Sequence, residues 1–346
     1  MFAQLLVSLQ FFFFGKRSFT ARGWERHIRR YEQPDMLKQP LDLSNKVYMV
    51  SGANSGIGKE VTRFLAQKGG TVYMVCRSRA KAQEVRDQIA TETGNSKVHL
   101  LVGDMSLEAD VRRCWQEFIQ HSGAHPRLDA LVCNAGALSH ERTLTSEGVE
   151  VTFACHFLFG TYLLGSLALP VLQATTGSRL VAVSSGGMYN VPFPSWEVAS
   201  AADARAKYDG QFAYCYAKRG QVLLCEEWAA KHADVKFLSC HPGWTATPGV
   251  DAAYGASQKY LQPLRTLWQG AEGIIWLCLA PAEKLESGAF YLDRAPQPKH
   301  IAGLFGRQGS YTKNTRAEID SMMARLKDAS SGSREALQTD TPAAGS

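Results

Sequence analysis

At 346 residues, 45% apolar and 20% charged, the chain has the composition of a folded globular protein. Its 30 glycines and 13 prolines exclude a collagen-like or low-complexity chain, and a net charge of +6 is too mild to argue for nucleic acid. Eight cysteines are scattered with no Cys-x-x-Cys, which argues against a zinc site and a disulfide framework. They fit reduced, buried thiols on the cytosolic side of a membrane or in a matrix.

The chain opens with MFAQLLVSLQFFFF, a strongly apolar run too short for an ordinary membrane span. Six cations follow by residue 30 (Lys16, Arg17, Arg22, Arg26, Arg29 and Arg30) against one acid, Glu25. A secretory signal would place charge before the apolar run and small residues after it, and neither is present. An Arg-rich, acid-poor mitochondrial presequence is one reading. An interfacial helix holding residues 1–30 on an anionic membrane is another. A helix packed on its own domain fits equally.

From Val47 the pattern alternates. KVYMVSG reads as a strand and GKEVTRFLAQKG as an amphipathic helix closed by Gly69 and Gly70. TVYMVC, KVHLLVGD, LDALVCNAG, SRLVAVSSG and VKFLSCHPG read as further strands. Helices are predicted for RAKAQEVRDQIATETG, EADVRRCWQEFIQHSG, about Leu144 to Ala174, and Tyr214 to Lys231. This alternation predicts an α/β, Rossmann-type, doubly wound parallel sheet with helices on both faces. One main domain over 41–300 is expected, with extensions at 1–40 and 301–346. The second extension holds a short amphipathic helix (Ile319, Met322, Met323, Leu326) and a tail, DASSGSREALQTDTPAAGS, of disordered composition.

The first strand runs into Ser51-Gly52-Ala53-Asn54-Ser55-Gly56-Ile57-Gly58, and a helix opens at once. Glycines there allow a tight turn and let a pyrophosphate approach the helix N-terminus. A plain strand-to-helix turn is the alternative. An NAD site usually carries an acid at the end of the second strand for the ribose 2′-hydroxyl. Here that position is Cys76, followed by Arg77, and a guanidinium suits the 2′-phosphate of NADP(H). Lys59 lies nearby on the first helix.

Together these residues resemble the short-chain dehydrogenase/reductases over about residues 45–295. SGANSGIG is similar to that family's Thr-Gly-x-x-x-Gly-x-Gly loop, with Ser51 in place of Thr. The resemblance implies that Asp104 contacts adenine and that Asn134-Ala135-Gly136 steadies the sheet and lines the cofactor. It further implies that Ser185 and Tyr214-x-x-x-Lys218 are catalytic and that Pro242-Gly243 and Thr247 pack on the nicotinamide. The family's fourth catalytic residue, an Asn, is here His156, which is either its replacement or a packed core histidine.

Tyr214 and Lys218 are four apart on a predicted helix and so share a face. An ammonium beside the phenol would lower its pKa from about 10 and ready it for proton exchange with a substrate oxygen. Ser185 can hold the same oxygen. This chemistry interconverts a carbonyl and an alcohol without a metal, and no metal motif is seen. Two segments are expected to line the substrate pocket. One is 186–213, with Met188, Tyr189, Phe193 and Trp196; the other is 248–268, with Tyr254, Tyr260 and Trp268. Their aromatics suit a lipophilic carbonyl or alcohol. The expected activity is NADP(H)-dependent oxidoreduction; the alternative is a dinucleotide-binding regulator or scaffold.

Overall fold

The strands are buried on both faces, which is why they read as near-continuous apolar runs. The computed structural model describes residues 2–331 except 204, 206, 302–308 and 310. Most of the expected tail, from 332 onward, lies outside the described residues. Eight strands form one sheet in the order β3-β2-β1-β4-β5-β6-β7-β8. They are β1 (Val47–Ser51), β2 (Thr71–Cys76), β3 (Val98–Val102), β4 (Ala130–Cys133), β5 (Arg179–Val183), β6 (Lys236–Cys240), β7 (Phe290–Leu292) and β8 (Ala295–Gln297). β1 to β7 are parallel, and β8 folds back antiparallel on β7. Strand order reverses between β1 and β4, so a ligand crevice is expected at their carboxyl ends.

One face carries α5 (Glu108–Ser122), a central helix Val151–Ala174 and the helix Gly210–Lys231. Met49, Leu101, Phe118, Phe153, Phe157 and Trp228 fill the layer between them. The other face carries α3 (Gly56–Gln67), α4 (Arg79–Thr93) and the helix Leu267–Leu279, packed through Val61, Leu65, Ile89, Ile274 and Ile275. Burying apolar side chains of this size is worth about 1.5–3 kcal/mol each.

The central helix begins later than the sequence suggests. Residues 144–150 form a tight turn with a Leu144–Glu150 bridge, and Gly148 takes φ +76°. Glu150 then caps the helix by accepting from the Thr152 and Phe153 N–H groups. Residues Ala154–Leu163 are π-wound. This helix is long and apolar enough to cross a membrane, but 72% of its apolar window is buried inside the protein. It is the core of the fold.

The N-terminal segment folds onto the domain as α1 (Phe2–Ser18) and α2 (Ala21–Ile28). Phe11, Phe12, Phe14 and Phe19 join Tyr189, Trp244, Leu261 and Phe290 in a third apolar cluster. Phe19 meets the Trp244 ring edge-on at 5.6 Å. The packed-helix reading therefore describes how this segment sits. Near the other end, the helix Arg316–Ala329 buries Met322 and Leu326 against the first core.

Polar groups fix the N-terminal segment in place. Buried Arg265 pairs with Asp293 through two contacts of 2.5 and 2.6 Å and also donates to the Phe19 and Ser18 carbonyls. His27 of α2 bonds Asp293 at 2.7 Å. Tyr31 donates to Glu272, which also pairs with buried Arg294. Gly243, at φ +76°, lies flat on the Arg265 guanidinium; a Cβ there would fall 2.1 Å from Nε.

Candidate active site

The carboxyl ends of β1, β4, β5 and β6 bring the expected site residues into one crevice. At the end of β1, Gly52 adopts φ +66° and the chain turns directly into α3. A Cβ on Gly58 would lie 2.3 Å from the Gly52 carbonyl oxygen, so only glycine permits the turn. Ser55 begins α3 without a side-chain cap, and no acid sits in the first turn. The helix end is thus open to an anion, and Asn54, Ser55, Gly56 and Ile57 present backbone there. Buried Ser51 serves this loop from below: its hydroxyl accepts from the Asn134 and Ala135 N–H groups at 3.0 and 2.9 Å. The Asn134 amide returns a bond to the Ser51 carbonyl at 3.0 Å. These bonds tie the glycine loop to the β4 end.

Cys76 is buried at the end of β2, while Arg77 is three-quarters exposed and lies 3.5 Å from Asp104. Asp104 also accepts from the Ser106 N–H and hydroxyl, which hold its carboxylate at the crevice edge. On the far side, Thr247 caps the helix Pro248–Tyr254, and its methyl would sit 3.6 Å from a Cβ on Gly56. The Pro242 carbonyl accepts from Thr245, and Gly243 follows on Arg265. Glycine loop, Arg77, Asp104, Asn134-Ala135-Gly136 and Thr247 therefore fit a dinucleotide: an open helix end, a cradle a Cβ would fill, and a cation at one rim.

The reacting groups meet at the end of β5. The Ser185 hydroxyl lies close enough to the Tyr214 phenol to favour its ionised form, and it accepts from the Gly187 N–H at 3.2 Å. Lys218 is buried, donates to the Val183 carbonyl at 2.6 Å and lies 5.5 Å from the Tyr214 ring centre. Burial pulls the lysine down to about 7. Burial also pushes the phenol above its ordinary value, with the nearby Ser185 hydroxyl opposing. This corrects the expected lowering of the phenol. The ammonium is turned to a carbonyl instead of the phenolic oxygen, so desolvation wins.

His156 is buried, and its ring meets Tyr214 edge-on at 5.2 Å. Its Nε2 contacts the Ala137 carbonyl at 2.8 Å, and Nδ1 has no partner among the described residues. Burial, and then the Lys218 cation, hold the imidazole well below its usual range, so it is neutral at pH 7. An ionisation near the ordinary histidine value is therefore not expected from it. The π-wound turn leaves the His156 carbonyl to accept from Thr161 at 2.6 Å and from Gln221 at 2.9 Å.

Several of the residues expected to line the pocket belong to the core. Met188 and Tyr189 are fully buried, Phe193 nearly so, and Trp196 packs on Phe153 at 5.1 Å. Trp268 belongs to the next helix and packs on Phe64 at 5.6 Å, on the opposite layer. Tyr254 remains by the site, close enough to Tyr214 to influence its ionisation. The chain just beyond Ser185 packs instead on α1 and on Phe19, which follows it. A Cβ on Gly186 would meet Phe19 at 2.7 Å, and His241 and Phe11 each at 3.1 Å. Nothing in the N-terminal run marks its distant partners, so sequence reasoning could not place Phe11 and Phe19 here.

A family profile described as short chain dehydrogenase matches residues 46–257, which include the glycine loop, Ser185, Tyr214 and Lys218. The chain belongs to the short-chain dehydrogenase family. Its members are oxidoreductases that use a nicotinamide dinucleotide, so this chain interconverts small carbonyls and alcohols. It is 36% identical over 299 residues to the human protein dehydrogenase/reductase SDR family member 12, covering 86% of this chain and 91% of that one. It is 29% identical over 273 residues to bovine retinol dehydrogenase 12, covering 77% and 83%. An Escherichia coli structure complexed with NADPH shares the fold at 22% identity and a TM-score of 0.58, covering 73% of this chain and 98% of that one.

Proposed function

We propose that this short-chain dehydrogenase is NADP(H)-dependent and acts on a lipophilic carbonyl or alcohol, with Tyr214 as the acid/base. The meeting of Ser185, Tyr214 and Lys218 in one crevice carries this reading. The bound dinucleotide supplies the hydride. The Tyr214 phenol stays protonated across neutral pH, the state that donates to a carbonyl oxygen. Ser185 orients that oxygen by a second hydrogen bond, and Lys218, 5.5 Å from the Tyr214 ring centre, steadies the phenolate left behind only when its ammonium turns from the Val183 carbonyl toward it. Lipophilic chemistry is supported by the retinol dehydrogenases among the relatives.

NADP(H) preference rests on Arg77 at the end of β2, where neutral Cys76 precedes it. A charge-assisted bond is worth about 1.5–3 kcal/mol, and exposure places Arg77 at the low end, roughly tenfold in affinity. Arg77→Asp is expected to reverse the order of NADPH and NADH dissociation constants measured by fluorescence titration. Equal constants for both dinucleotides in the unaltered protein would remove the argument.

The test of the activity is NADPH oxidation with a panel of lipophilic aldehydes and ketones. Tight NADPH binding with no turnover on any of them would favour the second reading, a dinucleotide-binding regulator, for which His156 is the supporting observation. His156 itself is tested by two substitutions. If it holds the Ala137 turn and the Tyr214 ring in place, His156→Asn keeps turnover within severalfold and His156→Ala lowers it, with all three pH–rate profiles lacking a histidine step. Equal turnover in all three would make His156 core packing alone.

A further inference from the structure

α1 has a second face. Its inward side is fixed on the domain: Val7 is buried, Phe14 meets Tyr189 at 5.6 Å, and a Cβ on Gly15 would strike Trp244 at 2.5 Å. Its outward side shows Leu5, Leu9 and Phe13, which are 59%, 47% and 68% exposed. These three recur every four residues and form one row along the helix. The next position in that row is Arg17.

Arg17 opens a cleft of about 450 Å³ at the α1–α2 corner. Lys16, Arg22 and Arg26 line it with Arg17, together with Thr20 and the segment at Gln262, and no carboxylate among the described residues does. Lys16 is aimed across it by bonds to the Tyr260 and Gln262 carbonyls at 3.2 and 2.7 Å. Arg26 is held by the Arg17 carbonyl. Four cations gathered at the end of an exposed apolar row complement one kind of surface: hydrocarbon beside phosphate.

We propose that this corner docks on an anionic phospholipid bilayer, with Leu5, Leu9 and Phe13 entering the acyl boundary and the cleft taking headgroup phosphates. The geometry is that of a helix lying in the interface plane. A spanning helix is a different case: α1 has 17 residues, about 25 Å long, and its inner side is engaged with the protein. The docked face is the outer side of the wall whose inner side reaches Gly186, next to Ser185. A lipophilic substrate dissolved in the bilayer would thus meet the enzyme at the catalytic end of the molecule. That last step rests on the proposed activity; docking itself does not.

The test is co-sedimentation of the full chain with vesicles of phosphatidylcholine alone and of phosphatidylcholine with phosphatidylserine. Pelleting is expected with the anionic vesicles, weakening as salt rises. Phe13→Glu, and Arg17→Glu combined with Arg22→Glu, should each lower partitioning by at least about tenfold. All three positions are exposed, so unchanged melting temperatures and unchanged turnover of a water-soluble carbonyl will show that the fold is intact. Because pelleting needs no turnover, a failed activity assay leaves this result readable. Equal pelleting on both vesicle types, or a Phe13→Glu variant that pellets like the parent, overturns the proposal. A melting temperature raised by inorganic phosphate, without pelleting, also overturns it and makes the cleft a site for a soluble anion.

Discussion

Tyr214→Phe is expected to bind NADPH as the parent does and to lose at least about 10²–10⁴-fold in turnover, the usual worth of a positioned acid. The phenylalanine ring keeps the contact with His156 and removes only the phenolic oxygen. Residual turnover within tenfold of the parent would mean that another group delivers the proton. Lys218→Met tests the same centre from the other side. Turnover should fall here too, yet the unliganded chain should become more stable. A lysine pulled down to about 7 by burial binds fewer protons in the folded state than in the unfolded one. Stability therefore rises as pH climbs from about 7 through the ordinary lysine range. At and below neutral pH the folded chain carries the desolvation penalty in full or in part, on the order of a few kcal/mol. Lys218→Met lifts that penalty, so its gain in melting temperature should be largest below about pH 7, shrink steadily as pH rises, and be gone above about pH 10 (the unfolded lysine value). A variant less stable than the parent at every pH would show that the bond to Val183 outweighs desolvation.

The second large effect is expected at Arg265. Its guanidinium is fully buried and holds Asp293 by two hydrogen bonds while bonding two carbonyls of the N-terminal segment. Arg265→Met leaves a buried carboxylate without its cation, a loss of about 3–5 kcal/mol in urea unfolding. Arg265→Met with Asp293→Leu should recover much of that, because a buried pair replaced by apolar groups is often near neutral. A double variant as unstable as the single one would locate the loss in the bonds to Ser18 and Phe19. Acid acts through the same pair. Burial raises Asp293, but Arg265 and His27 more than offset this and leave its carboxyl below the ordinary range. Its share of stability is present above the ordinary carboxylate range and is lost as pH falls through the lowered value.

The sheet was legible because each strand is buried on both faces and so appears as an unbroken apolar run, as in β2 (TVYMVC) and β5 (RLVAV). The glycine loop was legible because close backbone approach leaves no other residue possible at Gly58. Contacts between distant segments were not. The run before Lys16 looks the same whether it meets lipid or Trp244, since both reward apolar side chains. Met188 and Tyr189 read as pocket residues for a similar reason: composition does not say which side of a loop faces inward. The late start of the central helix had a local signal, Glu150 placed to cap Thr152 and Phe153 after a glycine turn. The phenol shift depended on where Lys218 Nζ points, a choice of rotamer that spacing alone cannot supply.

The ties that hold the segment after α1 span most of the chain: 266 positions from His27 of α2 to Asp293 in the β7–β8 turn, and 241 from Tyr31 to Glu272 of the helix Leu267–Leu279. Phe19 likewise waits for Arg265, 246 positions on. A ribosome therefore releases α1 and α2 long before their protein partners exist. Through most of synthesis the FFFF run has no core to enter, and contacts this distant close late in folding. The wall behind Ser185 is made before the strands it packs on and is among the last parts to be set.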